Sequence, residues 1–292
     1  VTVYRTFRNR GVQSNKRLGQ HILVDPQAVL RIVDAADLCL EDVVLEVGPG
    51  PGTLTVHLAQ RAGRVIAVEV DERMLAPLRD SLQGSDNVCL VHGDILDQDV
   101  AALVGGGGYK VVANLPYYIT SAVLRHLFES ALRPDLLVVT VQREVAERIV
   151  GRSAKARARR GGNPAPRMSL LAVSVQFYGV PRIVARIPAG AFRPVPAVDS
   201  AVVRIDVYDP LPWDVADKEL FFRVARAGFA QPRKQLHNTL TRNLAVSRDK
   251  VQAALLAARV DGKRRPETLS VQDWVALTRA LDLVPGDGQR SS

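Results

Sequence analysis

The run Val43-Val44-Leu45-Glu46-Val47 passes directly into Gly48-Pro49-Gly50-Pro51-Gly52. A short β-branched stretch without alternation suits a strand buried on both faces, as in a parallel sheet. Three glycines in five residues let the backbone turn tightly and approach a ligand closely. A helix expected over 53–61 then presents its free N–H groups at the same end. Strand, glycine turn and helix in this order open a doubly wound α/β sheet, whose ligands sit beyond the carboxyl ends of the strands.

The alternation continues along the chain. Strands are predicted over 64–70, 88–91, 110–113 and 136–141, with helices over 72–83, 119–130 and 142–150. Ahead of them, Asp25-Pro26 supplies an N-cap and a first-turn proline for a helix reaching about Ala36. This order predicts an α/β fold with a mostly parallel, doubly wound sheet. Residues 169–178 are apolar, and their period does not separate helix from strand. Two further strands are expected over 180–187 and 200–207, joined by a Pro-rich loop, and the pattern from about 211 to 282 is helical. The expected organisation is an arm over 1–24, an α/β domain over 25–208 with a basic loop at 151–167, a small C-terminal helical domain over 209–284, and a polar tail at 285–292.

Charge identifies the kind of partner. The chain has 39 Lys+Arg against 30 Asp+Glu, a net charge of +9. Residues 1–24, 151–167 and 221–247 together hold sixteen basic residues and no acid, so the remainder nets −7. A mildly acidic body with three basic stretches matches a polyanion binder. At 47% hydrophobic and 24% charged, the chain falls outside the disordered, collagen-like and disulfide-scaffold classes. No apolar run reaches the ~18–20 residues of a membrane span, and no signal core follows the basic N-terminus. Cys39 and Cys89 stand in apolar contexts without a CxxC, which predicts buried thiols in a reducing, cytoplasmic setting. The five His are scattered, and no metal site is expected.

Two acids follow the glycine run at successive strand ends. Glu69 ends the second strand, where a carboxylate can accept both hydroxyls of a ribose. Asp94, in Gly93-Asp94-Ile95, follows the third and can accept from an adenine amino group. Thr53 stands where a third glycine of a dinucleotide fingerprint would fall. Two carboxylates without a pyrophosphate cradle suit a nucleoside such as S-adenosylmethionine. In this arrangement the chain resembles a class I, Rossmann-like methyltransferase, which implies S-adenosylhomocysteine as product.

Asn114-Leu115-Pro116-Tyr117 closes the fourth strand. It resembles the (Asn/Asp/Ser)-(Pro/Ile/Leu)-Pro-(Tyr/Phe) motif of amino-methyltransferases. An exocyclic adenine amine is a weak nucleophile because its lone pair is delocalised into the ring. The Asn114 side-chain oxygen and the Leu115 carbonyl can accept its two N–H groups and favour a pyramidal nitrogen. Pro116 stiffens the turn, and Tyr117 offers a ring face to a flipped base. No strong general base is needed, and in-line placement supplies most of the rate. Phe192, opening Phe192-Arg193-Pro194-Val195-Pro196-Ala197-Val198-Asp199-Ser200, is a candidate for the second face of the adenine.

Together these residues resemble the KsgA-type rRNA adenine N6-dimethyltransferases, a family related to the Erm-type enzymes. The likeness runs from Leu18-Gly19-Gln20-His21-Ile22-Leu23 to the helical C-terminus. The family shows Gly-Gln-Asn-Phe-Leu at Gly19–Leu23, so His21 and Ile22 depart from it. The resemblance implies cofactor contacts from Gln20, His21, Leu23, Gly48, Gly50, Glu69, Asp94, Ile95 and Asn114. It implies reaction-site roles for Asn114, Leu115, Pro116, Tyr117 and Phe192. Phe192–Ser200 matches Phe-x-Pro-x-Pro-x-Val-x-Ser, and Phe229–Asn238 resembles Phe-x-x-Arg-Arg-Lys-x-x-x-Asn, with Pro232 in place of the first Arg. The implied activity is dimethylation of two adjacent adenosines in the 3′-terminal hairpin of small-subunit rRNA, within a subunit precursor, by a monomer. Arg17, Arg157, Arg159, Arg160, Arg233 and Lys234 are candidate RNA contacts, and the loop 151–167, longer than the family's turn, is a candidate extra clamp.

Four alternatives stand beside this. An Erm-type enzyme would modify large-subunit rRNA, and the Arg233-Lys234 segment favours the small subunit. A non-catalytic assembly factor would not require the intact Asn114–Tyr117 run. A DNA adenine methyltransferase does not suit Phe192–Ser200. A nicotinamide dehydrogenase fits neither the glycine spacing nor any hydride-site residue.

Overall fold

The computed structural model describes Val3, residues 19–151 and residues 167–283. They divide into two compact units. The first comprises described residues of Val1–Ala146 with Gly179–Tyr208, and the second those of Glu147–Tyr178 with Asp209–Ser292.

The first unit holds nine strands. Ile22–Leu23 is β1, Val43–Val47 β2, Arg64–Glu69 β3, Val88–His92 β4, Lys110–Asn114 β5, Leu136–Gln142 β6, Gly179–Ile187 β7, Phe192–Arg193 β8 and Ser200–Val207 β9. Seven form one sheet in the order β4-β3-β2-β5-β6-β9-β7. The first five are parallel. β9 inserts antiparallel between β6 and β7, with Thr140 opposite Val202. The order reverses at β2, which pairs with β3 on one side and β5 on the other. A ligand crevice is expected at the carboxyl end of such a switch point. β1 and β8 form a separate antiparallel ribbon, Ile22 opposite Arg193 and Leu23 opposite Phe192. It fastens the segment before the first helix to the loop before β9.

The helices follow their caps and apolar spacing. In α1 (Pro26–Asp34) the Asp25 carboxylate accepts from the Gln27 N–H, and Ala28, Val29, Ile32 and Val33 form the buried stripe. Thr55–Ala59 (α2) follows the glycine turn. In α3 (Glu72–Ser81), Asp71 caps the first turn. Val100–Val104 (α4), which the sequence pattern did not single out, runs from an Asp99 cap to Gly105 at φ +84°. Thr120–Glu129 (α5) follows β5 and Arg143–Ile149 (α6) follows β6. The core beside the sheet gathers Ile32, Val44, Leu58, Val65, Val112, Val138 and Phe192.

The apolar segment of undecided period is helix α7 (Leu170–Tyr178). It is buried at Ala172, Val173, Val175, Phe177 and Tyr178, so no polar face marks a helical period. It belongs to the second unit with α8 (Lys218–Phe229), α9 (Leu236–Asn243), α10 (Arg248–Ala257) and α11 (Val271–Leu283). The core of that unit is aromatic, with Phe177 and Phe221 ring centroids 4.2 Å apart. Gly228 on α8 lies directly beneath Trp274 of α11, and a Cβ there would fall 2.3 Å from the indole Cη2. The expectation of buried thiols is corrected: Cys39 and Cys89 are both exposed. Cys39 lies in the turn after α1, and Cys89 sits on β4, an edge strand with one side of its backbone unpaired.

Candidate active site

One pocket opens at the carboxyl ends of β2, β3 and β5, lined by the glycine turn, by the acids after β3 and β4, and by the Asn114 motif. The turn is closed by Gly48 N–H donating to the Val68 carbonyl at 2.9 Å and Gly52 N–H to Pro49 at 3.0 Å. Gly48 and Gly50 have φ of +69° and +57°, and a Cβ on either would project into open space. The turn is thus a bare backbone cradle.

Four carboxylates lie at or beside the cradle, three of them lining the pocket. Glu69 is buried; its Oε2 accepts from Gly50 N–H and its Oε1 from Asp71 N–H, both at 2.8 Å. Burial raises its pKa above the usual carboxylate range, against those two backbone donors. Glu46, the last acid before the glycines, is 1% exposed, and its Oε2 has no hydrogen-bond partner. Burial, with the charge of Glu69 adding to it, pushes Glu46 up to about 8. Thr55 Oγ1 beside it opposes that rise in part. Asp71 behaves differently: the Arg73 guanidinium, at 2.7–2.8 Å, holds it below the usual range, and Gln20 Nε2 donates to its Oδ2 at 3.0 Å. Asp94 is exposed at the rim, where its Oδ1 caps Leu96 N–H at 3.0 Å and Ile95 is buried beneath it.

The Asn114 motif faces these acids. The Asn114 Nδ2 donates to the His21 carbonyl at 3.0 Å, which turns its Oδ1 away from that carbonyl. Leu115 N–H donates to Thr140, and Ile119 N–H and Thr120 Oγ1 donate to the Pro116 carbonyl, fixing the turn. Tyr117 Oη lies 2.9 Å from Oγ of the buried Ser200. Its ring stacks on His21 with centroids 5.5 Å apart and planes at 27°. Burial raises the Tyr117 phenol above its ordinary pKa. His21 Nδ1 donates to the Pro194 carbonyl at 2.8 Å.

The chain matches the family described as ribosomal RNA adenine dimethylase over residues 11–282. It belongs to that family. Relatives named ribosomal RNA small subunit methyltransferase A are 43% identical in Dehalococcoides mccartyi, covering 91% of this chain and 88% of the relative. The one from Moorella thermoacetica is 42% identical, covering 94% of each. Among solved structures, the 23S rRNA methyltransferase ErmE is 28% identical with a TM-score of 0.68, covering 89% of this chain and 99% of ErmE. A dimethyladenosine transferase from Plasmodium falciparum shares the fold, with a TM-score of 0.72 at 23% identity over 88% of this chain and 96% of that one.

In this adenine dimethylase the structure gathers Gln20, His21, Leu23, Gly48, Gly50, Glu69, Asp94, Ile95, Asn114, Leu115, Pro116 and Tyr117 around one pocket. Phe192 is not among them. It is 1% exposed and packs in the core beside the sheet, because its pairing with Leu23 directs it inward. Arg233 and Lys234 are exposed in the second unit, between α8 and α9. Arg17, Arg157, Arg159, Arg160, residues 152–166 of the basic loop and the tail lie outside the described residues. Among the described residues no three His, Cys, Asp or Glu cluster as metal ligands, and no helix is long and apolar enough to cross a membrane.

Glu46, Thr53, Met74 and Tyr118 are among the lining residues to which sequence reasoning assigned no site role. Glu46 and Tyr118 flank motifs already singled out, so adjacency was the available signal. The pocket suits the sulfonium cofactor this family implies. The backbone cradle admits a ligand without side-chain obstruction, and an unpartnered buried carboxyl oxygen favours a cation.

Proposed function

We propose that this chain methylates the N6 amines of two adjacent adenosines in the 3′-terminal hairpin of small-subunit rRNA, using S-adenosylmethionine. The observation that carries this is the Asn114 amide, oriented by the His21 carbonyl so that its oxygen is free to accept from a substrate amine. The bound cofactor supplies an electrophilic methyl group on a positively charged sulfur. Glu69 would hold the ribose hydroxyls, Asp94 the cofactor's adenine amine, and the cradle of Gly48 and Gly50 its backbone-facing edge. Asn114 Oδ1 and the Leu115 carbonyl would take the two N–H groups of the target adenine. That draws its nitrogen lone pair out of conjugation and toward the methyl. The extra proton on the methylated nitrogen then passes to solvent.

Relatives named for the small subunit, at 43% identity, support that subunit as the source of substrate over the large subunit that ErmE modifies. We read Arg17, Arg157, Arg159, Arg160, Arg233 and Lys234 as phosphate contacts, the helical unit as an RNA-binding domain, and the loop 151–167 as a further clamp. The protein would act as a cytoplasmic monomer on a subunit precursor. The test is methyl transfer to small-subunit particles against naked large-subunit rRNA, with modified adenosines mapped by primer extension. Two adjacent stops in the small-subunit hairpin are expected. Stops confined to large-subunit rRNA would overturn the reading in favour of an Erm-type activity.

A further inference from the structure

Two tyrosines stand side by side at the end of the Asn114 motif, and their surroundings differ. Tyr117 is committed within the protein, its hydroxyl to Ser200 and one ring face to His21. Tyr118 lines the same pocket but is 61% exposed. One side of its ring rests against Gly19, where a Cβ would come within 3.4 Å of Cδ1. Most of the side chain is open to solvent. An aromatic ring bare at the mouth of a nucleic-acid site offers a π-face on which a base can stack.

The loop after β8 adds exposed apolar side chains. His21 ties Pro194 to the pocket wall, and the same loop exposes Val195 at 56% and Val198 at 46%. These side chains carry no charge, so they suit a nucleobase face and not a phosphate. A substrate with two adjacent adenosines presents such a face next to the one being methylated.

We propose that Tyr118 is a substrate-positioning residue that stacks on the nucleobase next to the target adenine, so that the target reaches Asn114 in register. The assignment rests on the reading of the substrate as rRNA adenosine. Stacking on an aromatic side chain is sequence-tolerant and contributes through binding. Its loss therefore acts on KM for RNA more than on kcat.

The experiment is steady-state methylation of small-subunit particles by the full chain and by its Tyr118→Ala, Tyr118→Phe and Tyr118→Trp variants, with cofactor affinity measured separately. Tyr118→Ala is expected to raise KM for the particle about 10-fold or more, with cofactor affinity unchanged. Phe and Trp should restore KM to within about 2-fold, because the ring and not the hydroxyl does the stacking. An unchanged KM, an equal loss in Tyr118→Phe, or weakened cofactor binding in Tyr118→Ala would overturn the proposal. If the unaltered chain methylates no particle, the rRNA reading fails first and this assignment with it.

Discussion

The side-chain amide of Asn114 donates to the main-chain carbonyl of His21 at 3.0 Å. A side-chain amide at a reaction site can flip, and only one orientation presents oxygen to an incoming amine. Here a backbone group makes the choice, and that group directly precedes β1 of the β1–β8 ribbon. Asn114→Ala removes the acceptor and should lower kcat about 10²–10³-fold, the usual loss for one pre-positioned polar group. Single-turnover methylation at saturating RNA checks this. Asn114→Asp should also be impaired, because a carboxylate oxygen would face the His21 carbonyl without a donor. Activity in Asn114→Asp equal to the unaltered chain would mean that the amide orientation is irrelevant.

Tyr117 and Ser200 form a second fixed pair, hydroxyl to hydroxyl at 2.9 Å. The bond joins the end of β5 to the start of β9, and Ser200 is fully buried. Tyr117→Phe and Ser200→Ala should each cost about 1 kcal/mol of stability. The double variant should cost little more than either alone, since both remove one interaction. Urea denaturation of the four proteins measures the coupling. Additive losses would show that the two hydroxyls act separately.

Most of the first unit was legible because parallel strands buried on both faces give unbroken apolar runs, and glycines and acids punctuate their ends. Val43–Val47 with its glycine turn, Glu69, Asp94 and Asn114 therefore fell together once the switch point at β2 was placed. What stayed hidden depended on pairing over long sequence distances. The ribbon that joins Leu23 to Phe192 leaves no local pattern, and it turns Phe192 into the core. Helix α7 was ambiguous because it is apolar around its whole circumference. The exposure of Cys89 follows from β4 being an edge strand, a position fixed only by sheet order.

Arg233 and Lys234 are exposed between α8 and α9 and sit in a stretch with no acid. If both neutralise phosphates, reversing them (Arg233→Glu with Lys234→Glu) should weaken rRNA binding at low salt. The slope of log K against log salt should become shallower by roughly 0.7–0.9 for each phosphate no longer neutralised. A salt series of filter-binding measurements reads both effects. Weakened binding with an unaltered slope would point to misfolding of the turn and not to phosphates left without a cation.

Gly228 is the tightest approach in the aromatic core of the second unit. The indole of Trp274 lies where a Cβ would stand, at 2.3 Å, and Trp274 is fully buried. Neither ring nor helix backbone can yield that distance cheaply. Gly228→Ala should destabilise the unit by about 1–3 kcal/mol through overpacking, despite the higher helix propensity of alanine. Chemical denaturation followed by tryptophan fluorescence checks this, and Gly228→Ala combined with Trp274→Leu should recover part of the loss.

Glu46 links the pocket to pH. Its folded-state pKa is raised from 4.5 to about 8, chiefly by burial. A carboxyl that binds its proton more tightly when folded favours folding only while that proton is on. Its contribution is therefore complete below about pH 4.5, declines as pH rises, and is gone above about pH 8. Ligand-free protein should lose stability across that interval, and Glu46→Gln, which cannot ionise, should lose less. Denaturation midpoints of both proteins at about pH 5, 6.5 and 8 isolate the effect. The two midpoints should diverge steadily toward the alkaline end, with the Gln variant the more stable there. A constant difference between them would show that Glu46 does not hold its proton in the folded chain. A cationic ligand should oppose the trend by favouring the ionised carboxylate, so S-adenosylmethionine should narrow the gap at about pH 8 more than at about pH 5.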